Sequence, residues 1–238
     1  MRQLELGYNK RHLRIVGIRL ASSKMELYAA EVFRLQEYHQ YVPLSALAQH
    51  MDVSLQAASG MIARMQQAGI VAHVPYKGVR LTPDGERASL LAIRRHRIIE
   101  IYLVRVMGFG WDEVHHLTDD LHGGVNQALE DRMFEMAGKP TRCPHGEPIP
   151  DSKGRMPMVA DTSLVNLEAN TLSRISRVRA NEPEKLRYFA ELGLRPGAVI
   201  QVVSRSPFNG PVRIRAGDID HILGHDLAAK LWVESPVA

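Results

Sequence analysis

The chain is short of cysteine and of long apolar runs, and each shortage narrows what it can be. Its single cysteine, Cys143, rules out an internal disulfide in a chain of 238 residues. A reducing, cytoplasmic setting is expected. No stretch approaches the roughly 20 apolar residues of a membrane helix. No apolar core with a small-residue cleavage site marks a secretory signal. No serine stands in a Gly-x-Ser-x-Gly elbow, and neither GEPIP nor PFNG has the Gly-x4-Gly-Lys spacing of a phosphate loop.

What is present is an ordinary globular mix, 45% hydrophobic and 24% charged, with a net charge of +4. The charge is uneven. Residues 1–88 carry 11 Lys/Arg against 7 Asp/Glu, and residues 141–238 carry 13 against 11. Residues 89–140 carry 6 against 8, together with His96, His115, His116 and His122. The first segment leans toward a polyanion, while the middle one gathers carboxylates and imidazoles. Within residues 1–24, six Lys/Arg face only Glu5. A basic arm for DNA is one reading, and a tail ahead of a true start at Met25 is the plainer one.

Residues 25–88 read as a winged helix-turn-helix. MELYAAEVFRLQEYH has an amphipathic period, Pro43 opens a second helix, and Ser54 caps a third over SLQAASGMIARMQQAGI. IVAHV, PYKG and VRL then predict strand, turn and return strand, and TPDGE opens another helix. In such a domain one helix enters the major groove and wing cations reach phosphate. Ser54, Gln56, Ser59 and Arg64 are the candidate DNA-facing residues of the third helix, and Lys77 and Arg80 those of the wing. The competing reading is a winged helix used for protein contact.

Residues 89–150 read as a helical layer for metal binding and dimerisation. Its helices expose more apolar surface than a lone pair can bury. Ligands on one helix recur at i, i+3 and i+4. RRHRIIE places His96 and Glu100 at i, i+4, and HHLTDDLHGG places His115, Asp119 and His122 on one face. Two antiparallel helices could offer these groups to one pocket. A solvated surface pair at Asp119 and His122 and a basic face at His96 fit the spacing equally well. Cys143 and His145 form a lone Cys-x-His in a proline-rich stretch, which reads as a turn rather than a metal site. Residues 151–166 read as a linker. From 167 to 238, short apolar runs separated by LRPG, PFNG and AGD predict a small SH3-like β-barrel. The fold class expected is therefore mainly α with a C-terminal β module.

Taken together, VPLSALAQHMDVS, LTPDGE, RRHRIIE, HGEPIP and LGLRPGAVIQV resemble the diphtheria-toxin-repressor family, which includes iron-dependent repressors and manganese transport regulators. The resemblance covers roughly residues 25–235 and implies metal-activated DNA binding by a cytoplasmic homodimer, with repression of metal-uptake genes. It also implies an ancillary metal site of His96, Glu100 and His115, with Glu182 lent by the SH3-like (FeoA-like) domain. The neighbouring Gln of the family falls on Lys185 here, and Glu184 is a substitute donor. The family's primary site falls on Asp119, His122, Gly123 and Leu27, so its third histidine and its first-helix donor are missing. A donor set of His, Glu and Asp suits Mn(II), with Fe(II) next and Zn(II) or Co(II) substituting. Neutral imidazole is required, so activation is expected to weaken below about pH 6. Two other readings stand beside this one: a winged-helix repressor switched by an organic ligand, and a metallohydrolase.

Overall fold

The computed structural model describes residues 22–234. Most of the basic stretch at the start therefore lies outside the described residues. The chain divides into two compact units, one ending at Ala92 and the other starting at Ile93.

The first unit holds α1 (Ser23–Leu35), α2 (Leu44–His50), α3 (Leu55–Gln67), β1 (Val71–Val74), β2 (Gly78–Leu81) and the start of α4 (Pro83–Arg105). Side-chain oxygens begin α1 and α3. Ser22 accepts from the Met25 amide and Ser54 from the Ala57 amide, which satisfies groups that have no partner inside the helix. The stripe Ala58, Met61, Ile62 and Met65 turns α3 inward against Val32, Leu35 and Leu47. Strands β1 and β2 form an antiparallel hairpin with Val71 opposite Leu81. Val42 exchanges two backbone hydrogen bonds with Val79, at 2.8 and 2.9 Å, and so ties the hairpin to the α1–α2 connection. That approach requires Gly78. Its φ is +125°, and a Cβ there would lie 2.4 Å from the Val42 carbonyl oxygen.

The second unit holds the rest of α4, then α5 (Val114–His122) and α6 (Gln127–Met136), followed by a sheet domain. Helix α4 is gripped on two sides. Ile98 and Ile101 pack with Ala137 and Ile149, while Ile99 and Leu103 pack with Val114 and Val125. The sheet domain is built from β3 (Asp161–Ser163), β4 (Leu172–Val178), α7 (Pro183–Glu191), β5 (Val199–Arg205), β6 (Val212–Ala216), β7 (Ile219–Leu223), α8 (His225–Ala228) and β8 (Leu231–Glu234). Its strand order is β3-β8-β4-β5-β6-β7, and every pairing is antiparallel. Strand β4 serves two ladders: Leu172–Arg174 pair with β5, and Ile175–Val178 pair with β8 across a register shift. Such irregularities bend a sheet. Trp111 of the helical layer is buried in the core of this domain, beside partly buried Val104.

Three features depart from the sequence reading. The sheet is open rather than a closed barrel, because β3 supplies three residues and pairs only with β8, leaving β3 and β7 as edges. The stretch 151–166, read as linker, contributes β3. Helix α7 and strand β7 were not expected from their residues.

Candidate metal centre and nucleic-acid interface

Helix α4 carries His96 and Glu100 on one face, one turn apart, and α5 brings His115 to the same place. The Glu100 side chain is only 2% exposed. Its Oε1 lies 3.1 Å from His96 Nε2 and 2.8 Å from His115 Nδ1. A buried carboxylate without partners would be strongly unfavourable. Burial alone would raise the Glu100 carboxyl, but the His96 charge, hydrogen bonds from His115 and His96, and the nearby His145 hold it well below the usual carboxylate range.

The turn after α6 completes the cluster. Cys143 and His145, which the sequence reading assigned to a plain turn, are buried beside Glu100. His145 Nδ1 lies 3.8 Å from Glu100 Oε2 and 3.9 Å from Cys143 Sγ. The donor atoms of Glu100, Cys143 and His145 all fall within 4.8 Å of one another, as do those of His96, Glu100 and His115. Glu100 belongs to both groups and presents a different oxygen to each. His145 Nε2 lies 2.7 Å from the Trp111 carbonyl oxygen. A carbonyl only accepts, so Nε2 holds a proton and Nδ1 is the nitrogen turned toward Glu100 and Cys143. Burial would lower the His145 pKa, but the Cys143 sulfur and the Glu100 carboxylate facing its Nδ1 push it up to about 11. Burial and the same carboxylate push the Cys143 thiol up. The rings stack in series, His115 on His145 at 4.4 Å and His145 on Trp111 at 5.6 Å. His115 Nε2 is buried without a hydrogen-bond partner, the condition a ligand would relieve.

The other expected ligands are less tightly gathered. Asp119 Oδ1 is 3.6 Å from His96 Nδ1, on a side chain 55% exposed. His122 is buried, with its ring 6.4 Å from that of His96. His116 and Asp120 are exposed. Glu182 stands outside both donor groups, at the start of α7, where its Oε1 accepts a 2.6 Å hydrogen bond from Lys185. Lys185 occupies the position where the family resemblance places a ligand, and its ammonium engages the neighbouring carboxylate. Cys143 and His145 were missed because a turn has no helical period. Their only signal in the sequence was the pair itself beside HGEPIP.

In the first unit, Gln56, Ser59 and Arg64 lie on the exposed face of α3, opposite its buried stripe. The Ser54 hydroxyl is engaged as a cap. Lys77 and Arg80 are exposed on the β1–β2 hairpin, with Lys77 Nζ 6.0 Å from the Tyr41 ring centroid. At the hairpin tip Tyr76 is fully exposed and has a φ of +64°. It joins the candidate surface residues.

Comparison with known proteins agrees with this division of labour. Residues 21–79 match the iron-dependent repressor N-terminal DNA-binding domain, and residues 82–151 match the iron-dependent repressor metal-binding and dimerisation domain. Residues 162–235 match the FeoA domain. The chain is 26% identical to the iron-dependent repressor IdeR of Mycobacterium tuberculosis, over 88% of this chain and 96% of that protein. It is 24% identical to the diphtheria toxin repressor of Corynebacterium diphtheriae, over the same shares. Among solved structures, a manganese-dependent transcriptional repressor in complex with manganese is 32% identical, with a TM-score of 0.83, covering 89% of this chain and 99% of that one. The T. acidophilum IdeR structure is 28% identical, with a TM-score of 0.75, covering 91% and 99%. The buried His–Glu–Cys cluster and the exposed α3 face thus lie in a chain that belongs to the iron-dependent repressor family, the family of the diphtheria toxin repressor.

Proposed function

We propose that this chain is a divalent-metal-dependent repressor that binds a palindromic operator as a homodimer, in the cytoplasm, and controls metal-uptake genes. The observation that carries this reading is the convergence of three imidazoles and a thiol on one buried carboxylate, Glu100. The donor set fits a divalent cation. His96, Glu100 and His115 would hold it in one group and Glu100, Cys143 and His145 in the other, with Asp119 within reach of His96. His122 and Glu182 are second-rank candidates, since both stand outside the two donor groups. A bound divalent ion would supply a charge that α4, α5 and the 141–150 turn share, favouring the arrangement in which they stay together.

The residues of the chain do the rest. Glu100 offsets positive charge inside the helical layer, and the Trp111 carbonyl fixes the His145 ring. Because His145 and Cys143 both carry protons at neutral pH, engaging them as donors releases protons, and affinity falls as pH falls. With Cys143 among the donors the set is softer than a purely His/Glu/Asp one. Fe(II), Zn(II) and Co(II) therefore compete more strongly with Mn(II) than the sequence reading supposed. Exposed Met107, Leu121, Leu129 and Met136 on the helical layer are apolar surface that a second copy would cover. The β1–β2 hairpin acts as a wing. Ser54, Gln56, Ser59 and Arg64 face the major groove, while Lys77 and Arg80 contact phosphate.

The test is DNA binding by fluorescence anisotropy, with a duplex recovered by in vitro selection in the presence of Mn(II). Binding with Mn(II) is expected to exceed binding in chelator by at least about tenfold, the lower range of allosteric coupling. Equal affinity in both would overturn the metal switch. Organic-ligand control and hydrolysis are not favoured, since the relatives are named as metal-dependent repressors.

A further inference from the structure

The turn that carries Cys143 and His145 is held from outside by the sheet domain. The Val178 amide donates to the His145 carbonyl oxygen at 2.9 Å. Gly146, at φ +85°, lies so close to β4 that a Cβ would meet the Ser176 carbonyl oxygen at 2.0 Å. Glu147 is the next residue, and its carboxylate is the junction of a charge network. Oε2 accepts from Arg97 of α4 at 3.1 Å and from Arg177 of β4 at 3.3 Å, and Oε1 accepts from Arg179 at 3.0 Å. Arg177 is fixed in turn by a two-pronged contact with Asp161 of β3, at 2.8 and 2.6 Å. Both Arg177 and Arg179 lie 4.6 Å from the Trp232 ring centroid. Planar guanidinium groups held by carboxylates and an aromatic ring are firmly aimed. Arg97 also donates to the Pro148 carbonyl oxygen, so the turn is gripped on both sides of Glu147.

We propose that Glu147 is a positioning residue for the metal centre, through which Arg97, Arg177 and Arg179 set the aim of Cys143 and His145. The sheet domain then contributes to metal binding by orienting donors on the turn, a role separate from lending a carboxylate such as Glu182. This inference rests on the reading of Cys143 and His145 as donors. Groups that orient ligands typically carry about 10–100-fold in metal affinity.

The probe is Co(II), titrated into the full-length protein. Cys143 is the only cysteine, so a thiolate-to-cobalt absorption band reports Cys143 alone. The wild type is expected to show that band, and Cys143→Ala to lose it. Glu147→Gln keeps the size of the side chain but removes the charge. It is expected to weaken the Co(II) titration read at the thiolate band by about 10–100-fold, while residual Co(II) binding by His96, Glu100 and His115 persists. In the metal-free protein the Cys143 thiol of the same variant should react with a disulfide reagent at least several-fold faster. Arg179→Gln, which removes a partly exposed member, should act in the same direction and carries the test if Glu147→Gln does not fold. A folded Glu147→Gln or Arg179→Gln with the wild-type band, affinity and thiol reactivity would overturn the positioning role. A wild type with no thiolate band would instead overturn the donor reading of Cys143, with thiol reactivity still deciding whether the network holds the turn.

Discussion

At the scale of single residues, Glu100 is the one group common to both donor sets. Replacing it with Gln keeps its volume and removes the charge that the surrounding imidazoles share. Mn(II) affinity, measured by calorimetry on Glu100→Gln, should fall by more than about 100-fold, above the 10–100-fold carried by outlying partners. A loss under tenfold would mean the carboxylate is not a donor. A second buried acid, Glu130, is paired with arginines. Glu130 is 4% exposed and accepts from Arg94 at 3.0 Å, with Arg95 at 3.4 Å, while Arg94 also donates to the Pro150 carbonyl oxygen. Glu130→Gln leaves the buried Arg94 without its counter-charge. It should lower stability by about 3 kcal/mol in urea unfolding, and wild-type stability would show that the pair contributes little. Part of the proposed centre is legible in the sequence. His96 and Glu100 declare themselves because a helix period places them on one face, and the helix bearing His115 follows directly. Cys143 and His145 reach Glu100 only through the tertiary path of a turn, and no local period encodes that path.

At the scale of elements, the β1–β2 hairpin depends on a backbone contact that only glycine allows. Gly78→Ala places a Cβ against the Val42 carbonyl oxygen in a left-handed conformation. It should cost about 1–3 kcal/mol and weaken DNA binding together with it. Retained stability would show that the connection at Val42 yields easily. The β6–β7 pair carries a titration signature. Hydrogen bonds from Arg215 and Arg213 hold the Asp220 carboxyl down at about 2. The folded value lies below the unfolded value of about 3.9, so its contribution is complete above about pH 4. It disappears as pH falls through about 2. The pair is on the surface, so the effect on stability is small. An NMR titration that gave Asp220 an ordinary midpoint near 4 would show the pair is not held in solution. Short apolar runs between turn signals revealed β4, β5, β6 and β8, whose inward residues form the sheet core. Strand β7, IDHIL, escaped because it is an edge strand with polar residues at its centre. Helix α7 escaped although Pro183 at its start and Leu186 and Phe189, one turn apart, mark it as helical.

At the scale of the whole molecule, residues 1–88 carry 11 Lys/Arg against 7 Asp/Glu, the balance a polyanion partner favours. Lys77→Ala should weaken binding to all duplexes about equally and reduce the salt-dependence slope by about one. A change confined to one sequence would instead make Lys77 a base reader. Two tryptophans are the only indoles in the chain, and they stand at informative places. Trp111 stacks on the His145 ring, and Trp232 lies against Arg177 and Arg179. The protein therefore carries its own optical reporters, one beside the donor turn and one within the network that holds it. An ion with unpaired d electrons at His145 should quench Trp111 emission, and a Trp111→Phe variant should lose that response. In that variant the remaining emission comes from Trp232 and registers any loosening of the arginines, so filling of the centre in the wild type and movement of its support in Trp111→Phe can each be followed without a label.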